Sequence, residues 1–186
     1  MRQPFKQSRK TATRFANLHH FCGDRVIVAV GNSIAVYSTR TGAQLAYHSR
    51  HAYPIVAFGA AEQGYYSLDN RGVLVHQDDE VFDAVELLGH GAKLRHAIIG
   101  DKIVAYEKNE RKILVLDRRS VEKKFDTNLD LLVTAMAYEH PHVAYIHGSQ
   151  AVVLNIETHE QVVINRQTKL TAVALSKDGT KIAMAD

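Results

Sequence analysis

Four short apolar runs can be laid over one another along the chain: Ile34-Ala35-Val36-Tyr37, Val73-Leu74-Val75-His76, Ile113-Leu114-Val115-Leu116 and Val152-Val153-Leu154-Asn155. Their last residues are 37, 76, 116 and 155, so the steps are 39, 40 and 39. Runs this short and this rich in β-branched residues read as strands. A period this regular means that one supersecondary unit is stacked against copies of itself.

The second repeat shows the unit most clearly. Residues 54–58 (Pro-Ile-Val-Ala-Phe) read as a buried strand, residues 59–63 as a turn, and residues 65–68 as a second strand. Asp69-Asn70-Arg71-Gly72 is a tight turn, where Asn and Gly accept the positive φ that hairpins need. Residues 73–76 form the third strand, 77–80 a charged turn, and 81–88 the outermost strand. The third repeat matches it through 93–99, 102–106, 112–117 and 122–125. The fourth runs through 132–138, 142–146, 151–156 and 161–164, and the first through about 15–30, 33–38 and 43–48. Strands repeating every 40 or so residues form a β-propeller with one four-stranded blade per repeat.

Small residues keep the same register. Ala57, Ala97, Ala137 and Ala174 fall at steps of 40, 40 and 37, one per innermost strand. A small side chain at one fixed place there lets blades approach closely near the axis. The fifth repeat holds only residues 169–175 and 181–185, and its third strand is expected near position 194. Two strands with an unpaired edge point to a chain that is the N-terminal part of a longer propeller or is truncated. The expected fold class is all-β, a propeller of about four and a half four-stranded blades in an incomplete ring. The expected organisation is a basic disordered arm at 1–13 and blades at about 14–48, 52–88, 92–126, 131–165 and 169–186.

Residues 170–186 (Leu-Thr-Ala-Val-Ala-Leu-Ser-Lys-Asp-Gly-Thr-Lys-Ile-Ala-Met-Ala-Asp) resemble the most typical stretch of a WD40 blade. Gly89-His90 matches the Gly-His pair that precedes the inner strand in that family. It lies 27 residues before Leu116-Asp117, the Trp-Asp position, and Arg50-His51 occupies the same place one repeat earlier. The chain departs from the family in having no Trp: the Trp-Asp positions hold Tyr37-Ser38, His76-Gln77, Leu116-Asp117 and Asn155-Ile156. The resemblance therefore implies degenerate blades held by apolar packing, without the buried His–Ser/Thr–Asp–Trp hydrogen-bond network. Residues 30–42 (Val-Gly-Asn-Ser-Ile-Ala-Val-Tyr-Ser-Thr-Arg-Thr-Gly) are similar to the opening blade of WD-repeat subunits of the small-subunit processome. Those subunits assemble on pre-ribosomal RNA in the nucleolus, so that resemblance implies a nucleolar scaffold with other protein subunits as partners. The alternative is a cytoplasmic peptide- or protein-binding adaptor in trafficking or ubiquitin ligation.

Composition narrows the function classes. The 186 residues carry a net charge of +3, but residues 1–23 hold Arg2, Lys6, Arg9, Lys10 and Arg14 with no acid, which is +5. The rest of the chain is −2, so the basic character belongs to the arm. Uncompensated positive charges attract phosphates and release counterions, which makes RNA the second expected partner. Only Phe5 accompanies them as an aromatic, so base stacking is not indicated. No run approaches the roughly 18 to 20 apolar residues of a membrane helix, and no apolar stretch follows the basic residues as in a secretory signal. Membrane partners and small-molecule substrates are not expected. The lone Cys22 and eleven histidines suit a reducing nuclear or cytosolic compartment.

Arg118, Arg119, Lys123 and Lys124 flank a turn of the third repeat, where they suit phosphate, an acidic partner or a soluble edge that resists strand pairing. Asp78-Asp79-Glu80 is the acidic counterpart one repeat earlier. His140, His142 and His147 lie close in sequence, but a metal needs three or four converging donors, and only Glu139 stands nearby. His19-His20 is weaker still, and His90 reads as a turn residue. No Gly-x-Ser-x-Gly elbow or phosphate-binding Gly-rich loop is present, and Cys22 lies outside any motif. No catalytic residue, metal or cofactor is expected.

Overall fold

A computed structural model describes residues 18–78, 82–89, 91–118, 123–128 and 132–186, with backbone alone at 123–128. Eighteen strands make up the regular structure of the described residues. The first sheet holds β1 (His19–Cys22), β2 (Arg25–Val30), β3 (Ser33–Ser38) and β4 (Gln44–His48). The second holds β5 (Ile55–Ala60), β6 (Tyr65–Asp69), β7 (Val73–Gln77) and β8 (Phe82–Glu86). The third holds β9 (Leu94–Ile99), β10 (Lys102–Glu107), β11 (Lys112–Asp117) and β12 (Lys123–Asn128). The fourth holds β13 (Ala135–Glu139), β14 (His142–His147), β15 (Gln150–Asn155) and β16 (Gln161–Asn165). Each is antiparallel with strands in chain order, and β17 (Ala172–Leu175) with β18 (Ile182–Ala185) forms a fifth, two-stranded sheet. The first strands β1, β5, β9, β13 and β17 pack in succession, so the sheets follow one another like blades around an axis.

The four apolar runs of the sequence become the third strands of the blades. Each is apolar along its length because it is covered on both faces, and the two faces alternate with period two. In the third blade Ile103, Ala105, Leu114 and Leu116 point back to Ala57, Leu68 and Leu74 of the second. Val104, Tyr106, Ile113 and Val115 point forward to Val133, Tyr138, Val143 and Tyr145 of the fourth. The core is thus a series of interblade layers. A first layer joins Ile27 and Val36 to Ile55 and Tyr65, and a last one joins Ile146 and Leu170 to Val173 and Ile182. The outermost strand of the second blade, by contrast, is exposed at every residue.

The alanine register holds in the pairing. Ala97 faces Ala105, Ala137 faces Ala144 and Ala174 faces Ala183, while Ala57 faces Leu68. The closest recorded approach between neighbouring inner strands is at a glycine instead. A Cβ added to Gly59 on β5 would lie 2.4 Å from Ile99 Cγ2 and 2.8 Å from the Ile99 carbonyl oxygen on β9. The fourth blade begins later than its sequence pattern suggests, at Ala135. Val133 sits just outside the strand, yet is fully buried as a plug between the third and fourth blades.

Candidate partner-binding clefts and the buried histidine network

His51 lies in the loop between the first and second blades and is 4% exposed. Its backbone is held by the Asn32 side-chain amide, which donates to the His51 carbonyl at 2.9 Å. Its Nδ1 is 3.3 Å from Asp69 Oδ2 and its Nε2 is 2.8 Å from Ser67 Oγ. Both partners belong to β6 and are fully buried. The other Asp69 oxygen accepts the amides of Arg71 at 2.9 Å and Val73 at 3.0 Å, so one carboxylate orders the turn and the histidine together. Burial alone would push the Asp69 carboxyl up. Hydrogen bonds from His51, Val73 and Arg71 outweigh that and hold it below the ordinary carboxylate value. The carboxylate accepts the Nδ1–H of His51, and the Ser67 hydroxyl meets the opposite ring nitrogen.

This corrects the expectation that the His–Ser–Asp network is missing. Three of its members are assembled in the second blade without a tryptophan. The sequence signal was Arg50-His51 at the Gly-His position together with Ser67-x-Asp69, which the absence of Trp obscured. The order Ser–His–Asp also matches a nucleophile, a base and an orienting acid. Ser67 Oγ, however, lies inside the sheet with no surface through which a substrate could approach, so the trio acts as an internal clamp. In the third blade the last residue of β10, Glu107, takes over part of this role. It is 2% exposed and accepts the amides of Lys93 at 2.8 Å and Asn109 at 3.0 Å, and also that of Glu110. His90 lies outside the described residues.

Of the basic candidates, Arg2, Lys6, Arg9, Lys10, Arg14 and Arg119 lie outside the described residues. Lys123 and Lys124 fall on the outermost strand β12. Arg118 is turned toward the blades: its Nη1 donates to the carbonyls of Ala60 at 3.0 Å and Gly100 at 2.9 Å, and its guanidinium sits 5.2 Å from the Tyr66 ring centroid. It staples the second blade to the third. Replacing Arg118 with alanine is expected to cost about 1 to 2 kcal/mol. That cost would appear as a lower urea midpoint with an unchanged slope, and an unmoved midpoint would refute the staple.

The three clustered histidines are led apart. His140 Nδ1 lies 3.6 Å from Asp101 Oδ2 and its Nε2 3.2 Å from Glu157 Oε1, and His147 meets the Leu132 carbonyl at 3.2 Å. His142 is packed beside Gly179, and its Nδ1 is buried without a hydrogen-bond partner. Among the described residues no group of three or more His, Cys, Asp or Glu is placed to hold a metal ion. Cys22 donates its thiol to the Gly64 carbonyl at 3.4 Å, across the first and second blades.

Among the described residues, two of the clefts between blades open near the blades' first and third turns. The larger, about 500 Å³, separates the first and second blades and is lined by Ile27, Val36, Leu45, Tyr65, Gln77 and Phe82, among others. Leu45 is 53% exposed there and Phe82 41%. The second, about 460 Å³, separates the second and third blades and is polar, with Glu62, Gln63, Tyr66, His76 and Arg118 in its walls. Tyr66 and His76 stack at 4.8 Å, so its aromatic surface is already occupied from within.

No protein-family model and no curated protein matches the chain in sequence. Its fold is shared. A chain in the crystal structure of a mitotic checkpoint complex is 16% identical, with a TM-score of 0.65 over 90% of this chain and 70% of that one. The architecture is that of a β-propeller. At this identity the likeness concerns architecture alone.

Proposed function

We propose that this chain is a non-enzymatic scaffold subunit that holds protein partners in a large assembly, with its basic arm adding contact to RNA. The observation that carries the scaffold reading is how the polar groups are used. The buried ones tie turns and blades together, while exposed apolar side chains gather in a cleft between rigid blades. The setting we infer is ribosome biogenesis, in processing of pre-ribosomal RNA within the nucleolus. Support comes from residues 30–42 and from the five uncompensated charges of residues 1–23. A second reading, an adaptor unrelated to ribosomes that recognises peptides, is favoured by the apolar cleft of the first two blades.

Affinity purification of the tagged full chain, with identification of bound RNA and proteins, separates the two. The first reading expects pre-ribosomal RNA with processome proteins. Recovery of trafficking or ligase subunits with no RNA would sink it. If all five basic residues neutralise phosphates of single-stranded RNA, the logarithm of affinity falls with that of salt at a slope of about −3.5. Deleting residues 1–13 leaves only Arg14 of the five and should bring the slope to about −0.7. An unchanged slope would remove the arm from RNA binding.

A further inference from the structure

We propose that the cleft between the first and second blades docks an extended segment of a partner protein that carries one bulky apolar side chain beside one acidic side chain. This deepens the scaffold reading and rests on it.

Strand register builds the two walls. Ile27, Val36 and Ala46 stand opposite one another across β2, β3 and β4, and form the wall of the first blade. Tyr65, Gln77 and Phe82 do the same across β6, β7 and β8, and form the wall of the second. The Cys22–Gly64 hydrogen bond joins the walls on the inner-strand side. Gly64 is required where it stands: its φ is +75°, and a Cβ there would lie 2.0 Å from the Gln77 carbonyl oxygen. Leu45 and Phe82 leave an apolar mouth suited to an aliphatic or aromatic side chain.

Two buried polar atoms in the wall of the second blade lack a hydrogen-bond partner. Gln77 is 7% exposed; its Nε2 donates to the Asp78 carbonyl at 2.6 Å, which fixes the amide, and its Oε1 has no partner. Tyr65 is 6% exposed, and its hydroxyl also has no partner. Two unpartnered polar atoms in the wall of one cleft are costly unless something meets them. Burial pushes the Tyr65 hydroxyl up to about 12 despite the opposing charge of Arg50, so it keeps its proton and can donate. The Arg50 guanidinium lies 4.7 Å from the Phe82 ring centroid. Burial and the charge of Arg50 hold His48 below its ordinary value, so it adds no charge at neutral pH.

These groups select the ligand. Arg50 and Tyr65 both line the cleft and are the donors we assign to one carboxylate. Gln77 Oε1 offers an acceptor to a backbone N–H of the same segment. Asp78 also lines the cleft, so a run of acids would be repelled more than a single acid.

The test titrates the full chain with a labelled peptide, Gly-Ser-Phe-Glu-Ser-Gly, acetylated and amidated at its ends. Binding is expected with a Kd on the order of 100 μM. Changing the peptide's Glu to Gln, or Arg50→Ala in the protein, should each weaken it about tenfold. Arg50 is exposed, so its variant should keep the wild-type urea midpoint and remain a folded control. No binding at about 1 mM peptide, or binding untouched by either change, overturns the proposal. So does tighter binding of a peptide that carries its only carboxylate at the C-terminus. If the peptide fails while the tagged chain still retains protein partners, the cleft proposal falls and the scaffold reading stands. If the peptide binds through Arg50 and no protein partner is recovered, the scaffold reading falls instead.

Discussion

Replacing Asp69 with alanine should lower stability by about 3 kcal/mol, because it strips the partner from one buried and two part-buried donors at once. The amides of Arg71 and Val73 lose their acceptor, and His51 Nδ1 loses its hydrogen-bond partner. Ser67→Ala removes only the hydroxyl bonded to Nε2 and should cost about 1 kcal/mol. His51 and Asp69 share one network, so the double variant His51→Phe, Asp69→Ala should be less damaging than the sum of the single ones. Urea unfolding followed by circular dichroism measures all of these, and additive losses would refute the network. The sign of the pH dependence follows from the lowered carboxyl. A group held below its unfolded value contributes its full stabilisation above that value and loses it as pH falls through the folded one. The wild-type midpoint should therefore drop more steeply than that of Asp69→Asn on acidification from about pH 5. Parallel curves would show that Asp69 titrates alike in both states.

Gly59→Val should cost about 3 kcal/mol, by overpacking the space between the inner strands of the second and third blades. Ile99 could turn its Cγ2 aside, but not its Cβ, 2.6 Å from the added carbon, nor its carbonyl oxygen at 2.8 Å. Relief requires β9 to move, and β9 is paired to β10 and packed on β5. Ile99→Val keeps both obstructing atoms and should not rescue the variant. Gly23→Ala is the control. Its φ is +59° but nothing stands within 4 Å of an added Cβ, so only the backbone cost of about 1 kcal/mol applies. Equal losses at the two positions would show that crowding plays no part at Gly59.

Much of the framework is legible in the residues themselves. The strand runs, the Asp69–Gly72 turn and the alanine rungs depend on neighbours within a few positions, and the structure places each in its expected strand or turn. The boundaries drift where a loop residue is drawn into the core. Val133 reads as part of a strand and is instead a plug, because burial does not require strand pairing.

The sites are less legible. The histidine network was hidden because the tryptophan that usually marks it is missing, while its other members stand 16 and 18 residues from His51. Arg118 reads as a surface cation, and only the fold brings it to Ala60, 58 residues away. Local alternation and turn chemistry, which any short window of the chain displays, determine that this protein is built of repeated four-stranded sheets. Which residues meet between blades is settled only once those sheets are stacked. Gly59 meets Ile99, Cys22 reaches Gly64, and Tyr65 and Gln77 share a wall with Phe82 because each sheet buries both faces against its neighbours. That burial is non-directional and leaves no local mark in the order of the residues, so the clamp, the staple and the cleft emerge with the tertiary structure.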